Sequence, residues 1–203
     1  MVSTSTSYFA GTGTSDTYIG GVAWTNPGNI NSSDNSYATV NLSLSNTSSQ
    51  GLKATNFNFS LPSYASVDGI VATFQRKASI ADTIRDTHVY LIKNGSVSGN
   101  NKSQAAYWST VEGDVSFGGP ADLWGNSLTA SDVNSSNFGV LIACTYYSAY
   151  AGTETAYVDS VQLTVYYSYN PFQQCKIGSN GVSKIYYGST QISRVYYGSI
   201  RVI

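Results

Sequence analysis

Charge is scarce in this chain: Asp, Glu, Lys and Arg make up only 10% of its 203 residues. Apolar residues still reach 41%, so the chain has a core to bury and lacks the low-hydrophobicity, high-charge profile of a disordered segment. Histidine occurs once, at His88, and cysteine twice, at Cys144 and Cys175. One histidine excludes a multi-His metal site, and the cysteines have neither metal-ligand spacing nor a Cys-x-x-Cys redox arrangement. Cys144 ends the apolar run that starts at Phe138 and reads as a small buried hydrophobe, with a disulfide to Cys175 as the alternative. A nucleophilic triad needs a base, and the sole candidate, His88, alternates with Tyr90 and Ile92 as a strand residue does. Gly11-Thr-Gly13 and Gly118-Gly119 lack the following Lys and helix of a phosphate loop. Eleven acids make some carboxylate pair about 5–10 Å apart inevitable, so glycosidase chemistry has no specific signal. No catalytic residue, metal ligand or cofactor is expected.

Long apolar runs are missing too. No stretch approaches the ~18 residues of a membrane helix. Met1–Ala10 has no basic start and no apolar core, so no signal peptide is expected and synthesis is expected in a cytoplasm.

Strict alternation dominates what is present. Phe57, Phe59 and Leu61 alternate with Asn56, Asn58 and Ser60. Ile70, Ala72 and Phe74 form a second set, Phe138, Val140, Ile142 and Cys144 a third, and Val161, Leu163 and Val165 a fourth. His88–Lys93 runs into Asn94-Gly95, the strongest short hairpin signal. Weaker strands are expected at Tyr18-Ile19, Tyr37–Leu44 and Val115–Phe117, and one helical turn at Thr129–Val133 behind a polar cap. Eight or so short strands with Ser/Asn/Gly loops predict an all-β fold, an antiparallel β-sandwich of jelly-roll-like topology. Residues 65–73 echo residues 156–164, each with an Asp ahead of an alternating run. Asp68 and Asp159 are expected to bond loop amides there, with a calcium role as the alternative.

The last 29 residues are a decapeptide written nearly three times, with Gly178, Gly188 and Gly198 in one phase and Val182, Ile192 and Val202 in another. β-Branched residue, two tyrosines, then Gly-Ser reads as strand and turn. Six-residue strands with four-residue turns would form a short β-repeat meander, pairing Tyr187 with Ile192, Ile185 with Arg194 and Lys184 with Val195. Both faces would then be mixed, and so short a sheet needs a partner to cover it. The segment holds four cations and no acid, whereas the rest holds six cations against eleven acids, a net −5. The expected organisation is a sandwich over 1–167, a linker over 168–174 and a repeat tail over 175–203. The tail would dock or oligomerise through Lys184, Tyr187, Arg194 and Tyr197. Four interleaved cations are too few for a nucleic-acid surface.

Sugar recognition needs exposed aromatic faces beside polar groups. Tyr146, Tyr147 and Tyr150, in a polar connection, are the candidate glycan contacts. Trp24, Trp108 and Trp124 read instead as core or loop anchors.

The segments Trp24–Asn29, Ser33–Ala38, Val67–Ile70, Arg76–Ser79, Asp122–Gly125 and Asn137–Val140 resemble a module of tailed-bacteriophage structural proteins, across residues 20–167. The tail is similar to the Tyr-x-Gly-Ser-x-x-(Val/Ile) repeats that close various phage head, tail and fibre proteins, although Lys176-Ile177 replace the tyrosines in its first copy. The resemblance implies a virion surface protein, either a capsid decoration or a short fibre, bound to a major capsid or tail protein. It also implies a homo-oligomer, with a trimer as the leading expectation. The other readings are a carbohydrate-binding receptor module and a tail or collar component.

Overall fold

The computed structural model describes residues 1–148 and 152–170, and the backbone of residues 185–187, 190–192, 196–197 and 200–201. The chain divides into two compact units, Met1–Asn170 and Pro171–Ile203.

The first unit is an antiparallel β-sandwich of two sheets. Its strands are β1 (Val2–Phe9), β2 (Thr12–Asp16), β3 (Ala38–Ser43), β4 (Gly51–Thr55), β5 (Ser66–Ala78), β6 (Ile84–Lys93), β7 (Ser96–Ser98), β8 (Gly113–Gly119), β9 (Gly139–Tyr146) and β10 (Thr153–Tyr169). One sheet runs β1-β10-β5-β8, with β3 also on β10; the other runs β2-β4-β9-β6-β7. The 17-residue β10 serves two partners on one side. Its first part pairs with β3 and its second with β1, while β5 lines the other side. The echoing segments are thus neighbours in one sheet, with Val161 opposite Phe74 and Leu163 opposite Ala72.

Alternation places Ile70, Ala72, Phe74, Val161, Leu163 and Val165 in the core, with Val140, Ile142 and Cys144 from β9 and Phe138 just before it. β9 is buried on both faces along most of its length. At its start, Gly139 lies so close to β4 that a Cβ would meet the Ala54 carbonyl oxygen. β6 turns into β7 through Asn94 and Gly95, both with positive φ (53° and 82°), which only such a residue pair adopts at low cost. A single helical turn, α1 (Ala130–Val133), is capped reciprocally by Thr129 and Asp132. All three tryptophans are buried, and their indole N–H groups donate to Gln50 O (Trp24), Asp86 (Trp108) and Ile70 O (Trp124).

Several expectations need correction. Phe57, Phe59 and Leu61 are buried, but residues 56–61 form no strand. Asn56 and Asn58 sit at φ 60° and 58°, in the left-handed region, which breaks the pleat. Asn134 instead brackets Leu61, accepting from its amide and donating to its carbonyl. Tyr18-Ile19 lies in a turn rather than a strand. The sandwich does not stop at Tyr167: Ser168 and Tyr169, assigned above to the linker, pair with Ser3 and Val2.

Asp68 accepts from the Ser168 hydroxyl at 3.1 Å rather than from a loop amide. Asp159 is the bulged residue of β10, between the Val158 and Ser160 pairs, not a strand-entrance residue. It is 1% exposed, and the amides of Asp34 and Asn35 face it without reaching hydrogen-bond geometry. Among the described residues, no group of three or more His, Cys, Asp or Glu is arranged to hold a metal.

In the second unit, β11 (Ile185–Tyr187) pairs with β12 (Thr190–Ile192), and β13 (Tyr196–Tyr197) with β14 (Ile200–Arg201). Tyr187 faces Thr190 and Ile185 faces Ile192, so two residues, not four, close the first hairpin. The expected Tyr187–Ile192 register is therefore wrong.

Candidate functional site

The described surface feature that best suits a ligand is a ledge where β9 ends and β6 begins. Ile84 pairs with Tyr146, bringing the two strand ends to one rim. The Tyr147 amide then donates to Thr83 O at 2.6 Å, tying the chain beyond β9 to the loop before β6. A backbone bridge between Arg85 and Tyr107 adds a third segment from far along the chain.

Arg85 organises this corner. Its guanidinium carbon lies 3.5 Å from the Tyr147 ring centroid and 4.3 Å from that of Tyr107. Its Nη2 donates to the Tyr107 hydroxyl at 2.7 Å. The two rings are tilted by 52° at a centroid separation of 6.4 Å. Among the described residues no carboxylate pairs with Arg85, and the contacts that stabilise its guanidinium are the two ring faces and the Tyr107 hydroxyl. Arg85 contacts both rings and bonds the Tyr107 hydroxyl, and such bracing before binding lowers the entropic cost of stacking on them.

An open cavity of about 520 Å³ lies against this corner, lined by Asp82, Tyr107, Tyr146, Tyr147 and Ser148. Tyr147 is 57% exposed and Tyr107 37%. The ledge therefore offers aromatic faces, phenolic hydroxyls and one acceptor carboxylate, the groups that polyhydroxyl ligands need.

Of the tyrosines proposed from sequence, Tyr147 is on the surface of this ledge. Tyr146 is not a surface residue: it is 4% exposed, because it is the last inward-facing position of β9. Tyr150 lies outside the described residues. Arg85, Tyr107 and Asp82 carry no local sequence signal that marks them, because their grouping with Tyr147 comes from three distant segments. Lys184 and Arg194 also lie outside the described residues, and Tyr187 and Tyr197 are placed in β11 and β13 by their backbone alone.

His88 and Cys144 lie away from this ledge. His88 stacks on Tyr90 at 5.9 Å, its Nδ1 has no hydrogen-bond partner, and burial pushes its pKa below the ordinary value. Cys144 is a free, buried thiol whose pKa burial pushes up to about 12, so it is neither a thiolate nor a nucleophile at neutral pH. Among the described residues no helix is long and apolar enough to cross a membrane.

No protein-family model and no curated protein matches the chain. Among solved structures, a chain described as "CBM4 structure and function" aligns with 77% of this chain and 92% of its own length, at 11% identity and a TM-score of 0.38. A chain of the "Cyanophage Pam1 capsid asymmetric unit" aligns with 66% of this chain and 82% of its own length, at 18% identity and a TM-score of 0.30. Likenesses this distant identify no function.

Proposed function

We propose that this chain is a non-enzymatic virion surface protein whose sandwich recognises a saccharide at the Tyr107–Tyr147 ledge, while its basic repeat tail docks it to other virion proteins. The carrying observation is the pair of exposed tyrosines braced by Arg85 at the mouth of an open cavity that also holds Asp82. Sugar rings stack their C–H faces on such platforms, and the phenols and carboxylate fix hydroxyl orientation. The virion assignment rests on the sequence resemblance of residues 20–167 and on the charge contrast between the cationic tail and the acidic remainder.

Glycan-array binding by the full chain, followed by titration calorimetry on the hits, tests the ledge. Tyr147→Ala and Tyr107→Ala should each weaken binding at least about tenfold, as loss of an aromatic anchor worth 2 kcal/mol or more does. Binding that survives both substitutions would remove the ledge from the proposal. Mass spectrometry of purified particles tests the location, since a virion surface protein must be present in stoichiometric amounts.

A further inference from the structure

We infer that β1 is a self-pairing edge: it joins β1 of a second copy of this chain, antiparallel, about a two-fold axis at Ser5.

The edge is open. β1 bonds β10 along one side over Val2–Phe9, and among the described residues no hydrogen bond reaches its other side. An eight-residue ladder of free N–H and C=O groups is a template for another strand, and folded proteins normally guard it with charge, proline, a bulge or brevity. The other edges of this sandwich are guarded in that way. β7 has three residues, and β8 carries Asp114 and ends in Gly118 (φ 85°) and Gly119, with Pro120 next in the chain. β2 carries Asp16, and β3 is bridged by Thr25. β1 has none of these devices: residues 1–9 contain no charged side chain, no proline and no glycine.

The middle five residues of the edge read the same in both directions. Met-Val at one end and Tyr-Phe at the other flank Ser3-Thr4-Ser5-Thr6-Ser7, which is a palindrome. A two-fold axis at Ser5 places Thr4 against the partner's Thr6, Ser3 against the partner's Ser7, Val2 against the partner's Tyr8 and Met1 against the partner's Phe9. Those outer pairs are apolar, and three of their members are among the large hydrophobics left exposed by the fold: Met1 at 93%, Tyr8 at 44% and Phe9 at 42%. Aromatic–aliphatic and Thr–Thr cross-strand pairs are the favourable ones, and no like charges meet. A closed isologous contact follows, in which the same patch serves both copies and the five-stranded sheet of each continues into the other. A single strand pair is a small contact, so it is concentration-dependent in free protein and favoured wherever copies are held close together.

Directly opposed residues of an antiparallel pair have Cα atoms about 4.5–5.5 Å apart, within disulfide range. In the full chain with Cys175→Ser, and with Cys144 buried, Ser5→Cys should form a covalent dimer under mild oxidation. Ser3→Cys and Ser7→Cys should stay monomeric alone yet cross-link when mixed. Ser5→Lys should weaken self-association in sedimentation runs at least about tenfold (about 1.4 kcal/mol), and Ser5→Thr should leave it unchanged. Failure of Ser5→Cys to link, equal linking at all three positions, or unchanged self-association of Ser5→Lys would each overturn the inference. Saccharide binding at the ledge is read independently of all of these.

Discussion

Arg76 of β5 and Asp86 of β6 form a two-pronged ion pair in the interior between the two sheets, with side chains only 5% and 0% exposed. Asp86 also accepts from the Trp108 indole at 2.8 Å and the Gln104 amide at 3.3 Å, and Arg76 lies 4.3 Å from the Trp108 ring centroid. The pair therefore ties both sheets to the 104–108 segment that delivers Tyr107 to the ledge. Asp86→Ala strands the guanidinium and should cost about 3–5 kcal/mol in guanidinium-chloride unfolding. Asp86→Leu with Arg76→Met should recover most of that, because the cost lies in the orphaned charge. A double variant no more stable than the single would show that the network, not the charge, is what matters.

Asp159 stands in the opposite condition. Burial first, then the charges of Glu112 and Asp34, push its pKa above the ordinary carboxylate value, against the amides of Asp34 and Asn35. A raised native pKa means that the folded state holds the proton more tightly than the unfolded one. This contribution to stability is complete below the unfolded value and is lost as pH rises through the native value. The group therefore contributes less stability at pH 7 than in acid. Asp159→Asn should raise the melting temperature at pH 7 by about 2–4 °C, the shift that 1 kcal/mol makes in a chain of this size. The gain should shrink as the pH approaches 3.8, the ordinary carboxylate value. A variant less stable than the parent at pH 7 would show that the carboxylate is bonded after all.

Tyr146 and Tyr147 are adjacent but should behave in opposite ways. Truncating the buried Tyr146 to Ala should cost about 3–5 kcal/mol, as for other large core aromatics. Tyr147→Ala should cost only about 0.5–1 kcal/mol in the same melt, the worth of an exposed ring contact with Arg85, while losing saccharide binding. Equal stability losses at both positions would count against Tyr147 as an exposed contact.

A chain ending at Asn170 should fold as a cooperative β-rich domain, whereas one ending at Tyr167 loses the Ser168 and Tyr169 pairs to β1. Circular dichroism melts should give the shorter piece the lower midpoint. Val161→Asp or Leu163→Asp, at fully buried sites facing Phe74 and Ala72, should unfold either piece, since a lone buried carboxylate costs several kcal/mol.

The residues themselves determined the fold class and most of the core. A period of two is a local property, so Ile70–Ala72–Phe74 and Val161–Leu163–Val165 declare their inward faces without reference to any partner. Asn94-Gly95 and the Thr129 cap are equally local, because each satisfies its own backbone demand within a few residues. Phe57–Phe59–Leu61 shows the limit of that logic. Alternating burial survives there, but Asn56 and Asn58 take left-handed backbone and Asn134, 73 residues from Leu61, satisfies its polar groups. Only the tertiary structure decided the ledge. Arg85, Tyr107 and Tyr147 come from three separate segments, and whether a tyrosine near the end of β9 is core or surface depends on the single residue where the strand stops. Long-range electrostatic and stacking contacts leave no periodic trace in a sequence. Self-complementarity does leave one: the palindrome of β1 could be read from the first nine residues, but its meaning rests on an edge that the fold leaves open.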